Sequence, residues 1–390
     1  MTAFFNTGLS QQQFLDEYWQ KKPLLIRQAF VDFETPISPD ELAGLAAEPE
    51  IESRLIEEQG ETGAWQVTNG PLSEQDFAKL PETHWTMLVQ DVDKHLPELQ
   101  TLFDPLRFIP DWRRDDLMIS FAPEHGTVGP HTDGYDVFLL QALGERCWQI
   151  GAQAQYDIEL IAGLELQIMA DFEADQTWVL SPGDLLYLPP HFAHYGVALN
   201  DCMTFSFGFR APSQVELLDG VVNTLLEHNL AKIRYGDPDL KVSDQSSEID
   251  VGSIKRLKQL LHQTIDNNEE ILTEVLGRFV TETKQSLVEL AAEQVDDKPT
   301  IEQVNTLFEQ GEQLQRNIYS RVAWTNNNDS PQLFVAGEAY CVDSANSVYL
   351  SLLAENTQLN NDDWQQLKQQ QQLVDLVCHL IADGVWFWSE

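Results

Sequence analysis

The chain has 390 residues, enough for two or three domains that each bury a core. Hydrophobic residues at 43% and aromatics at 10% argue against disorder, and no apolar run approaches the eighteen or so residues of a membrane helix. A formal charge of −40 repels nucleic-acid phosphates and favours cationic partners. Four scattered cysteines (Cys147, Cys202, Cys341, Cys378) without a CxxC pair, and a polar N-terminus lacking a secretion signal, point to a reduced, cytoplasmic setting.

In chain order, Gln11–Trp19 reads as an amphipathic helix ended by Lys21-Lys22-Pro23, and Leu24–Ile26 as an apolar strand. Residues 31–115 mix short helices and strands, Thr86–Gln90 among the strands. From Leu117 to Phe209 the text is β-rich: Leu117–Phe121, a strand over 129–141, Arg146–Ile150, Trp178–Leu180, Leu185–Leu188 and Met203–Phe209. Short strands with Gly and Pro turns predict a barrel or sandwich. After Pro212 the period becomes helical over Val215–Ile233 and Ile254–Lys284, with Tyr235–Asp250 as a loop. Beyond residue 300 come a helix over Ile301–Tyr319, extended segments at Gln332–Val335 and Ser347–Leu350, a helix over Trp364–Ile381, and Val385–Trp388 at the end. That order suggests a winged helix. Residues 281–390 hold five Lys or Arg against seventeen Asp or Glu, the wrong sign for a DNA-binding face. A packing or protein-interaction role is expected instead.

The chemistry concentrates at His131-Thr132-Asp133 and at His194. On a strand, His131 and Asp133 point to the same side, because side chains repeat with period two. With His194 from a distant strand they make a two-histidine, one-carboxylate triad. This leaves the opposite coordination positions open, as non-haem Fe(II) requires, although the same donors also suit a catalytic zinc. Arg146, across the turn Leu143-Gly144-Glu145, is expected to return beside the metal in an antiparallel hairpin. Pro182-Gly183-Asp184 turns the chain into the strand that delivers His194.

The motifs Tyr18–Ile26, Leu88–Asp93, Asp116–Phe121, Val128–Asp133, Tyr135–Phe138, Pro182–Pro190 and Gly208–Pro212 together resemble the JmjC-type cupin oxygenases. More narrowly, they are similar to the bacterial ribosomal oxygenases that hydroxylate an arginine of the sixteenth large-subunit ribosomal protein. The resemblance implies an α+β fold: a double-stranded β-helix over residues 1–212, a helical dimerisation module over 213–284 and a winged-helix-like domain over 285–390. It implies that His131, Asp133 and His194 hold Fe(II). Arg146 would bind the distal carboxylate of 2-oxoglutarate, a task suited to a permanently charged fork, and Ser120 would donate a hydroxyl to the cosubstrate. His194, four residues beyond Pro189-Pro190 and ahead of a glycine, is preferred to His191 as the ligand. His125 is expected at a rim or in solvent, and His84, His95, His228, His262 and His379 are expected to be structural. Tyr135 and Asp136 are candidates for meeting a basic substrate. The expected protein is a cytoplasmic homodimer that binds neither DNA nor membrane. The competing readings are a histidine hydroxylase of another ribosomal protein, a metal-binding cupin without oxygen chemistry, and a silent scaffold.

Overall fold

The computed structural model describes residues 3–59, 64–210, 212–292, 298–326 and 330–389. Ala211, within the Gly208–Pro212 motif, lies outside them. The chain forms two compact units, Met1–Ala211 with Lys284–Leu290, and Pro212–Thr283 with Ala291–Glu390.

Among the described residues the first unit is built on eleven antiparallel-paired strands: β1 (Leu24–Ile26), β2 (Ser53–Gln59), β3 (Ala64–Asn69), β4 (Trp85–Val89), β5 (Arg114–Ala122), β6 (Asp136–Leu143), β7 (Arg146–Ala154), β8 (Gln176–Leu180), β9 (Leu185–Leu188), β10 (Phe192–Ala198) and β11 (Cys202–Phe209). Eight form one sheet in the order β1-β9-β6-β11-β5-β4-β2-β3, and three form another in the order β10-β7-β8. Strands β6, β9 and β11 are buried along nearly their whole length, and β11 alternates, with Met203, Phe205, Phe207 and Phe209 in the core and Thr204, Ser206 and Gly208 lining a cavity on the other face. The helix Gln11–Glu17 starts at a Ser10–Gln13 capping box and drives Phe14 into the core, against Phe4 and Tyr187.

Two expectations fail here for instructive reasons. The strand predicted over 129–141 begins only at Asp136; upstream, His131 makes an isolated bridge and residues 132–135 are irregular. Nor do β6 and β7 pair as a hairpin. Gly144, at φ +61° with an added Cβ only 2.1 Å from the Asp201 carbonyl oxygen, takes the chain from the large sheet to the small one.

In the second unit the described helices are Gln214–Glu227, Val251–Asp266, Glu270–Thr281, Ile301–Gln310, Asn361–Leu367 and Gln371–Ala382, with the short Leu350–Glu355; the short helix Val288–Ala292 begins in the Lys284–Leu290 segment of the first unit. The single helix expected over 254–284 is therefore two, and the helix from Ile301 ends at Gly311 in the left-handed region. The predicted extension of Ser347–Leu350 is wrong: it is a 3-10 turn entering a helix. A three-stranded meander, Val322–Thr325, Gln332–Val335 and Glu338–Cys341, packs against the helix Glu270–Thr281, and a second small sheet pairs Leu314–Arg316 with Gln358–Leu359 and Trp386–Trp388.

Candidate metal and cosubstrate site

Three side chains converge in the first unit. His131 and His194 exchange backbone hydrogen bonds at 3.0 and 2.9 Å, which brings their rings to 4.2 Å between centroids. The shared side of His131 and Asp133 is thus set by a bridge and a loop rather than by a pleated strand. That loop is pinned where the Asp133 carbonyl accepts the His191 N–H at 2.7 Å. Each histidine points Nδ1 at the carbonyl two residues before it: Gly129 at 3.0 Å for His131, Phe192 at 2.9 Å for His194. A carbonyl can only accept, so each Nδ1 carries the proton and each Nε2 presents a lone pair. Burial, helped by the neighbouring His131, pulls His194 down to about 4, against the opposing pull of the Asp133 carboxylate. His194 is therefore neutral at physiological pH, the form that binds a metal.

The donor atoms of His131, Asp133 and His194 lie within 4.8 Å of one another, with His194 Nε2 3.5 Å from Asp133 Oδ2. Two imidazoles and one carboxylate at that spacing fit one ion at about 2.0–2.2 Å from each. His191 does not join them; its ring lies against Tyr156, at 4.5 Å.

A cavity of about 780 Å³ opens from the triad. On one side stands Arg146, delivered not by a β6–β7 hairpin but by the pairing of β7 with β10, in which Ile150 faces His194 and Arg146 faces Ala198. Arg146 and Trp148 share the inward face with Ile150. Arg146 is 3% exposed, and its Nε and Nη2 lack a hydrogen-bond partner; Trp148 lies beneath the guanidinium at 5.7 Å. A buried cation with unmet donors is costly unless an anion completes it, so this arm fits a carboxylate ligand. Ser120, on β5 of the opposite sheet, is also buried and lines the cavity. Its hydroxyl has only a long contact, 3.5 Å, to the Thr204 carbonyl.

The other wall is acidic, and sequence reading passed over it. Asp91, Asp115 and Asp116 converge there on the Lys284 ammonium, at 2.9, 3.5 and 3.3 Å. Burial outweighs the lysine at Asp116 and pushes its carboxyl up to about 7. Adjacent charges in Arg113-Arg114-Asp115-Asp116 were the available signal, but only folding brings residues 91 and 284 to them. Tyr135 lines the cavity. Asp136 does not. It is fully buried and accepts from the Tyr187 hydroxyl at 2.6 Å, Gln20 Nε2 at 2.9 Å and Arg113 Nη2 at 3.2 Å, so it locks the fold together. His125 packs against His84, with ring centroids 4.9 Å apart, away from the cavity lining.

An HxD…H triad inside a jelly roll, beside a buried guanidinium, defines a JmjC-type cupin. The JmjC domain model matches residues 101–217, and the ROXA-like winged helix model matches residues 259–387. The chain is 35% identical over 385 residues, 99% of each chain, to the ribosomal protein uL16 3-hydroxylase of Escherichia coli. It is 32% identical to a probable ribosomal oxygenase of Haemophilus influenzae, over 96% of this chain and 95% of that one. The E. coli ribosomal oxygenase YcfD in complex with cobalt and 2-oxoglutarate superposes with a TM-score of 0.81 at 34% identity, covering 98% of this chain and 99% of that chain. The chain belongs to the JmjC-domain ribosomal oxygenases.

Proposed function

We propose that this protein is an Fe(II)- and 2-oxoglutarate-dependent hydroxylase of ribosomal protein uL16 that acts on an arginine side chain. The observation that carries the reading is the orphaned Arg146 guanidinium in the same cavity as the triad. A cupin that isomerises sugars or stores metal has no use for a buried carboxylate clamp, whereas a keto-diacid cosubstrate needs one. His131, Asp133 and His194 hold the iron, Arg146 takes the distal carboxylate, and Ser120 donates its hydroxyl to the same ligand. Bound together, the metal and 2-oxoglutarate supply the oxidation, in which O2 and the keto acid yield succinate, CO2 and one oxygen atom inserted into a C–H bond.

The chain's own part is positional. The Nδ1 bonds aim both imidazoles, the Trp148 face keeps the guanidinium dry, and the acidic wall receives a cationic side chain near the metal. Carboxylates in the cavity favour arginine over histidine as the target, because a guanidinium stays charged at neutral pH.

The helices Gln214–Glu227 and Val251–Asp266 expose Val215, Leu218, Val222 and Leu226, and Ile254, Leu257 and Leu261. Stripes at helical spacing that find no cover in the monomer support a homodimer in which residues 213–284 supply the dimerisation module; residues 285–390, read as winged-helix-like, share one compact unit with that module from Ala291 on. A ribosomal protein substrate places the enzyme in the cytosol; no described helix is long and apolar enough to cross a membrane. Incubation with Fe(II), 2-oxoglutarate and uL16 should add about 16 Da, one oxygen atom, to an arginine-containing peptide by mass spectrometry. Addition to a histidine, or decarboxylation unaffected by any ribosomal protein, would sink the reading.

A further inference from the structure

Lys284 holds an unusual place. The segment Lys284–Leu290 clusters with the first unit although the residues on either side belong to the second. It plants one ammonium among three carboxylates in the wall of the reaction cavity, which Gln285 and Ser286 also line. This corner of the cavity therefore already binds a cationic side chain, and one that can leave, since Lys284 retains 26% exposure and a flexible four-carbon stem.

Resting on the functional reading above, we infer that Lys284 is a specificity-determining residue: a resident cation that the substrate's guanidinium must displace. The exchange is close to charge-neutral for the buried carboxylates, because one cation leaves as another arrives. A guanidinium has five donors in a planar fork and can span two carboxylates, whereas the ammonium has three donors. A neutral side chain that dislodged Lys284 would take the buried Asp91 carboxylate from the ammonium it contacts at 2.9 Å. Entry is thereby restricted to cations by competition, in addition to any direct attraction.

The test uses the full-length protein carrying Lys284→Met or Lys284→Arg, with Fe(II), 2-oxoglutarate and uL16. Removing the competitor should lower KM for uL16 by about tenfold, the equivalent of roughly 1.4 kcal/mol. Lys284→Arg, which grips the carboxylates with the same fork as the substrate, should raise it several-fold. KM for 2-oxoglutarate should stay put in both. An unchanged or raised KM in a folded Lys284→Met protein would mean that Lys284 is a fixed part of the wall. If that variant does not fold, Lys284→Arg decides alone: a raised KM supports displacement, and an unchanged or lowered KM overturns it. Calorimetry with arginine amide gives a readout independent of turnover, tighter for Met and weaker for Arg than for the native protein. Absence of uL16 hydroxylation by the native protein would count against the functional reading, while the arginine amide ranking would still decide the role of Lys284.

Discussion

Replacing Arg146 with methionine separates a ligand clamp from a structural arginine, and the two roles predict opposite signs. The side chain is 3% exposed, its Nε and Nη2 have no partner among the described residues, and the guanidinium lies over the Trp148 ring. A structural arginine that is removed leaves its partners unsatisfied and destabilises the fold. Here there are no such partners at Nε or Nη2, so methionine relieves an uncompensated buried charge at similar volume. The ligand-free variant should melt at or above the native temperature. The loss should appear instead in cosubstrate binding: a charge-assisted pair contributes about 1.5–3 kcal/mol, so apparent affinity for 2-oxoglutarate should weaken by roughly 10- to 150-fold. Thermal denaturation with Mn(II) and increasing 2-oxoglutarate under anaerobic conditions reads both quantities at once, and KM for 2-oxoglutarate in air provides the kinetic check. Metal affinity should hardly move. An unchanged 2-oxoglutarate dependence, or a marked drop in the ligand-free melting temperature, would refute the clamp.

Four further outcomes are expected. His131→Ala, Asp133→Ala and His194→Ala should each bring 2-oxoglutarate decarboxylation to background, while His191→Ala, whose ring faces Tyr156, keeps most of it; the reverse pattern for the two histidines would reassign the ligand. Asp116, raised to about 7 against about 3.9 unfolded, binds a proton in the folded state that the unfolded chain has shed, so its contribution to stability falls as pH rises from about 4 to 7. Denaturant melts of the native and Asp116→Asn proteins should therefore diverge with pH in that window, the native losing ground as pH rises, and parallel curves would remove the burial argument. Light scattering should give about twice the 44.4 kDa chain mass, and Leu218→Glu with Leu226→Glu should give a monomer; a native monomer at micromolar concentration would contradict the apolar stripes. Finally, with a formal charge of −40, kcat/KM for basic uL16 should drop several-fold by roughly 0.5 M salt, and duplex DNA should not bind at physiological salt; salt-independent capture or tight DNA binding would show the charge misread.

The sequence by itself carried the donor set. Histidine, aspartate and a distant histidine after a Pro-Pro pair, with an arginine thirteen residues past the aspartate, mark a metal site on which iron and zinc both remain possible, and the resemblance of the surrounding motifs is what points to oxygenase chemistry. It also marked the boundary near Pro212, since a change of hydrophobic period from two to 3.6 is local information. How the donors meet was decided only by tertiary structure. His131 and Asp133 share a side because a bridge to His194 and a bond to His191 fix an irregular loop, and Arg146 arrives through the pairing of β7 with β10, not with its neighbour in sequence. Asp136 and Asp116 look alike as sequence, each a carboxylate near the motif. Yet one is sealed under Tyr187 and Arg113 while the other lines the cavity with Lys284. Both are buried, and their partners separate them, through contacts between residues that lie far apart along the chain.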